Sequence, residues 1–104
     1  TAATFTVYSV AAIPATPSSY PGTSGSSYKP VYQTHDVTMP TVSGATYYQL
    51  YESTHNAISL PSDSSYQQVS SGSAQSVNRT PNSAGYRWYK YKACNASGCS
   101  ALSS

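Results

Sequence analysis

Charge is scarce in this chain: of its 104 residues, 8% are Asp, Glu, Lys or Arg. Five basic residues against three acidic ones leave a formal net charge of +2, and they form no basic stripe. Proteins that hold nucleic acid neutralise phosphates with clustered Lys and Arg, so no nucleic-acid partner is expected. Long aliphatic residues are few as well, with three Leu, two Ile and seven Val, and Glu occurs once. Helical bundles draw on Ala, Leu, Glu, Lys and Arg, which this chain does not supply in the needed numbers. No apolar run approaches the roughly 20 residues of a membrane-spanning helix, so membrane insertion is not expected either. The opening Thr-Ala-Ala-Thr-Phe-Thr lacks the basic start and apolar stretch of a secretory signal. That leaves a chain that is soluble, already processed, or cut from a longer one.

Hydroxyl groups are what the chain holds in quantity. There are 21 Ser and 11 Thr, and eleven of the thirteen aromatic residues are Tyr. Such a composition suits β structure outside the cell. The length fits one domain, which at this size buries roughly 60–70% of its unfolded surface. Thr4 to Val10 has strand composition, and the prolines at 14 and 17 favour an extended edge or linker after it. Ser18 to Pro30 reads as a loop, with Pro21-Gly22 its clearest turn signal. Val31 to Met39 predicts a second strand stopped by Pro40, and Ser43-Gly44 a turn. Ala45 to Ser53 predicts a strand with Thr46, Tyr48 and Leu50 on one face and Tyr47, Gln49 and Tyr51 on the other. Tyr66 to Ser70 and Ala74 to Asn78 are shorter strands around Ser71-Gly72. Tyr86 to Asn95 is a long strand that Asn95-Ala-Ser-Gly98 turns into a last one from Cys99. Strand-like runs with turn signals every 8–12 residues indicate a sandwich or barrel.

Three stretches carry a family resemblance. Val37-Thr-Met-Pro-Thr-Val-Ser-Gly-Ala-Thr-Tyr-Tyr-Gln-Leu-Tyr-Glu-Ser53 is similar to the second strand, turn and third strand of a fibronectin type III domain. Tyr89-Lys-Tyr-Lys-Ala-Cys-Asn-Ala-Ser-Gly-Cys-Ser100 resembles its sixth strand, hairpin and the start of the seventh strand, and Ile13-Pro-Ala-Thr-Pro-Ser18 its proline-bearing entry strand. The resemblance, to domains found in tandem in bacterial secreted and surface proteins, covers a little under half the chain. It implies an all-β, immunoglobulin-like antiparallel sandwich of about seven strands. The family domain would span residues 13–104, leaving 1–12 as a strand and linker, either part of a preceding module or an assembly arm. Three positions depart from the pattern: Met39 replaces a core Trp, Tyr91 a typical Val, and Arg87 a Tyr. In the last case either Tyr86 takes over through a local slip or the corner is built differently.

Chemistry-bearing residues are few. Cys94 and Cys99 enclose Asn-Ala-Ser-Gly, and two Cys facing across a hairpin meet the distance needed for a disulfide. The alternative is two reduced thiols in a turn. A bridge there points to an oxidising, extracellular or cell-surface location. No metal or other cofactor is expected, since no His lies near the two Cys in sequence. Glu52 with Asp36 or Asp63 offers a carboxylate pair, and His35-Asp36 beside Ser invites a hydrolase guess. No Gly-x-Ser-x-Gly elbow exists, and a sandwich this small lacks a deep cleft, so no enzyme is expected. Glu52, His35 and His55 are read as exposed strand-end, loop or edge residues. Asn78-Arg-Thr80 and Asn95-Ala-Ser97 match the N-glycosylation pattern, but so many Ser and Thr make chance matches common.

The outward aromatics form the more informative set. On the long strand Tyr89, Tyr91 and Ala93 would point inward, leaving Trp88, Lys90 and Lys92 outward. The family resemblance places the third strand beside it in the same sheet, so the two outward rows would form one face bearing Tyr47, Tyr51, Trp88 and Lys90. Such rings anchor a protein contact, stack on sugars, or merely support cross-strand pairs. The strand with Phe5, Val7, Tyr8 and Val10 could add to a neighbouring subunit's sheet, or fold back on its own. The expected function is therefore structural: a non-catalytic adhesion or assembly module of a multidomain surface protein or extracellular filament. The expected partner is protein, either another copy or a neighbouring module. A carbohydrate-binding accessory module of a secreted hydrolase is the alternative.

Overall fold

The computed structural model describes residues 11–23, 30–54 and 60–104. Among these, seven strands run in the order β1 (Gly22–Thr23), β2 (His35–Thr38), β3 (Tyr47–Thr54), β4 (Gln67–Gly72), β5 (Ser76–Arg79), β6 (Arg87–Asn95) and β7 (Gly98–Cys99). A single 3-10 turn at Asp63–Ser65 is the one helical element among them. The strands make two antiparallel sheets, β1-β2-β5 and β4-β3-β6-β7, stacked as a sandwich. The longest ladder joins β3 to β6, from Tyr47 opposite Cys94 to Thr54 opposite Arg87.

Alternation along the strands sets what is buried. Tyr48 and Leu50 of β3 share the inner face with Tyr91 and Ala93 of β6, and Val37 and Met39 meet them from the other sheet. Leu50, Val37 and Met39 are fully buried. Burying each such side chain contributes roughly 1.5–3 kcal/mol, so a core this small depends on every one of them. Met39 thus completes the core from the smaller sheet's side. The core tyrosines keep their hydroxyls satisfied at the rim: Tyr91 donates to the Pro40 carbonyl at 2.8 Å, and Tyr48 accepts the Val42 N–H at 3.0 Å. Tyr can therefore replace an aliphatic residue here, because each ring ends beside an exposed backbone group.

Several expectations are corrected. The stretch from Ser18 to Pro30 is not loop throughout, since Gly22 and Thr23 pair with Thr38 and Val37 and form the edge of the smaller sheet. Residues 11–17 carry no strand, although Pro14 and Pro17 are buried. The second strand begins at His35, because Pro30 to Gln33 closes a turn instead. The expected corner is built by Arg87, whose Nη2 donates to the Ser83 carbonyl at 3.1 Å and to its hydroxyl at 2.8 Å. Tyr86 does not take over; it is 46% exposed.

Candidate functional site

The outer face of the larger sheet holds the expected aromatic row, but part of it is covered. Tyr47 and Tyr51 lie outward and half-buried, about 13 Å apart at the usual rise per residue. Tyr51 donates to Gln49 Oε1 at 3.0 Å, and the Lys92 ammonium sits 5.1 Å from its ring centroid. Tyr47 leans on the Cys99 sulfur at 3.8 Å. Lys90 points to the same side, yet it is only 7% exposed. The 3-10 turn covers it: Asp63 pairs with its ammonium at 2.7 Å, and the Tyr66 ring lies beneath at 5.3 Å. Burial first, and then the Asp63 charge, raise the Tyr66 hydroxyl above its ordinary pKa. Ser65 reaches Ser53 on the same face at 2.8 Å. Trp88, opposite Ser53, is half-buried, and its indole N–H finds no acceptor among the described residues. Lys90 as an exposed contact residue is thus corrected, by a turn distant in sequence.

A second constellation was missed. Glu52 follows Tyr48 and Leu50 on the inner side of β3, so it faces the opposite sheet rather than solvent. Its carboxylate takes Arg79 of β5 in a two-pronged contact at 3.2 and 3.3 Å. His35 stands beside Arg79 in the ladder, on the central strand of its sheet, and is 8% exposed. Its Nε2 lies 3.4 Å from the Tyr89 hydroxyl, with the rings edge to face. Burial first, then the Glu52 carboxylate, push the Tyr89 hydroxyl far up, with Arg79 pulling the other way. Burial opposes the Arg79 charge, but the Glu52 contact outweighs it and the net shift is upward. This cluster bridges the sheets. Asp36 is exposed on the other side of its strand, and His55 lies outside the described residues. No group of three His, Cys, Asp or Glu able to hold a metal occurs among the described residues.

The third region is the β6–β7 hairpin. Cys94 and Cys99 are joined, with Cα atoms 4.0 Å apart in directly facing positions. The turn they close brackets the chain's first described residues. Asn95 donates to the Ala12 carbonyl at 2.6 Å and to the Gly44 carbonyl at 3.2 Å, and the Ser97 hydroxyl donates to Ala11. Gly98 holds φ at +142°, and a Cβ there would sit 3.3 Å from the Ile13 side chain. Only Gly meets both demands. Asn95 is therefore a buried bracket rather than an accessible glycan acceptor. Among the described residues, Ala11 and Ala12 are held by this turn. Phe5, Val7, Tyr8 and Val10 lie outside the described residues.

The fold has a similar solved counterpart. A solved structure described as "Structure of FN3tt mut" is similar at TM-score 0.52 and 24% identity, covering 81% of this chain and 90% of that one. The fold is fibronectin type III-like. No protein-family description matches the chain, and no curated protein is significantly similar to it. The hairpin disulfide is compatible with an oxidising, extracellular setting. Among the described residues, no helix is long and apolar enough to cross a membrane.

Proposed function

We propose that this chain is a non-catalytic building block of an extracellular or cell-surface assembly, and that it joins neighbouring modules or further copies through its N-terminal strand. The bracket at Ala11 and Ala12 carries the reading. Donors from a disulfide-closed turn fix the backbone there. The strand-forming residues Phe5, Val7, Tyr8 and Val10 precede that fixed point directly, as a linked pairing segment requires. The polar groups inside the sandwich are spent on one another, Glu52 on Arg79 and His35 beside Tyr89, which suits a scaffold better than a reaction centre.

The carbohydrate reading of the sheet face has less support. A stacking platform needs open rings, and the 3-10 turn occupies the ground between Tyr51 and Trp88. Electron microscopy of the intact chain at rising concentration tests the proposal. Linear or ring-shaped polymers that vanish on deletion of residues 1–10 are expected. Polymers that persist in the truncated chain would move the contact elsewhere.

A further inference from the structure

The end of the sandwich opposite the disulfide hairpin carries a cleft of about 760 Å³, lined by Val31, His35, Pro81, Tyr86, Arg87 and Tyr89 among others. That volume is in the range of small-ligand sites. We infer that this cleft binds a carboxylate-bearing sugar unit of an acidic polysaccharide. The inference stands apart from the assembly reading and does not use the N-terminal strand.

Charge is the first argument. Glu52 is matched by Arg79 and Asp63 by Lys90, while no ion pair joins Arg87 to a carboxylate among the described residues. Arg87 commits one nitrogen, Nη2, to neutral Ser83, which holds the guanidinium in place. Its remaining N–H groups make no hydrogen bond among the described residues. A fixed guanidinium with donors to spare suits a carboxylate, which takes two parallel N–H bonds.

The second argument is the rim. Tyr86 lines the cleft and is 46% exposed; Tyr32, next to the lining residue Val31, is 73% exposed. Tyr32 holds φ at +68°, the one non-glycine residue with positive φ among those described. Its N–H donates to the Pro81 carbonyl at 2.7 Å, which ties the 30–33 turn to the 80–86 turn across one wall. A bulky residue kept in a left-handed conformation while its ring faces water is not explained by packing, and such strain gathers at ligand sites. Exposed tyrosine faces beside hydroxyls and one cation match a sugar acid: the ring face stacks and the carboxylate pairs. A neutral glycan would leave the charge unanswered.

Calorimetric titration of the intact chain with hexagalacturonate, and with maltohexaose as the neutral control, tests this. Saturable binding to hexagalacturonate alone is expected, falling as salt rises. Arg87→Gln should weaken it at least about tenfold, the scale of a lost charged hydrogen bond. Since Arg87 also secures Ser83, Tyr86→Ala provides a second variant that leaves this corner intact and should weaken binding as well. Tyr51→Ala, on the sheet face, should not change it. The inference is overturned by absence of saturable binding, by equal affinity for maltohexaose, or by unchanged affinity in both Arg87→Gln and Tyr86→Ala. Loss of binding in Tyr51→Ala alone would place the sugar on the sheet face instead.

Discussion

The two halves of the sandwich interior are built on different physics. Toward the hairpin end, Val37, Met39, Leu50, Ala93 and the rings of Tyr48 and Tyr91 fill the space between sheets by apolar packing. Toward the opposite end, Glu52, Arg79, His35 and Tyr89 span the same gap with polar groups, Glu52 bonded to Arg79 and the Tyr89 hydroxyl to His35 Nε2. The apolar half is where burial contributes most, and its two buried tyrosine hydroxyls are each hydrogen-bonded at the rim. The polar half contributes less and leaves its end of the molecule open to water. The core's aliphatic residues are few and sit at one end, and tyrosine, arginine and histidine fill the other.

Leu50→Ala would break this contrast most severely. A fully buried Leu in a small core should cost about 2–5 kcal/mol, read as a lower urea midpoint. A loss below about 1 kcal/mol would mean the apolar half does not dominate. Replacing both Cys94 and Cys99 by Ser should cost about 2 kcal/mol, because the bridge closes so short a loop. Amide exchange at Ile13 should rise in that variant, as the bracket on Ala11 and Ala12 loosens. In the polar half, Glu52→Gln should cost about 1–3 kcal/mol, since it leaves Arg79 without its charge partner.

The tyrosines sharpen the comparison through pH. Burial, then the nearby Tyr48, raises the Tyr91 hydroxyl above its ordinary pKa of 10.0, and Tyr66 and Tyr89 are raised too. The folded state therefore favours their neutral form. That contribution is complete below the unfolded value of 10.0 and is lost as pH climbs beyond it. Urea midpoints should hold up to that pH and fall above it, with a late phenolate absorbance phase accompanying the fall. Constant stability through the same window would contradict the burial of these rings. The smallest effect belongs to Tyr51→Ala, within about 0.5 kcal/mol, as expected for a half-exposed sheet face.

Much of the fold was legible in the residues. Alternation placed Tyr48 and Leu50 inward, turn signals at Gly44 and Gly98 marked real reversals, and Cys94 and Cys99 faced each other as their spacing implied. The same alternation carries Glu52 to the inner face and His35 into line with Val37 and Met39. Their polarity suggested exposure, and partners 27 and 54 positions away made burial tolerable instead. Lys90 went the opposite way: its direction was readable, its cover was not, because Asp63 and Tyr66 arrive from a separate segment. Gly22–Thr23 escaped notice because two residues paired to a neighbouring strand leave no periodic trace. Arg87 at the corner was visible only as a departure, and its role depends on Ser83 lying one turn back.

We propose that the sandwich carries a pairing segment, residues 1–10, attached at the disulfide-closed turn. Multi-angle light scattering of the intact chain and of the chain lacking residues 1–10, over a hundredfold concentration range, addresses it most directly. The account predicts that the intact chain's mean mass rises with concentration while the shortened chain stays folded and monomeric. Equal masses for the two at every concentration would contradict it.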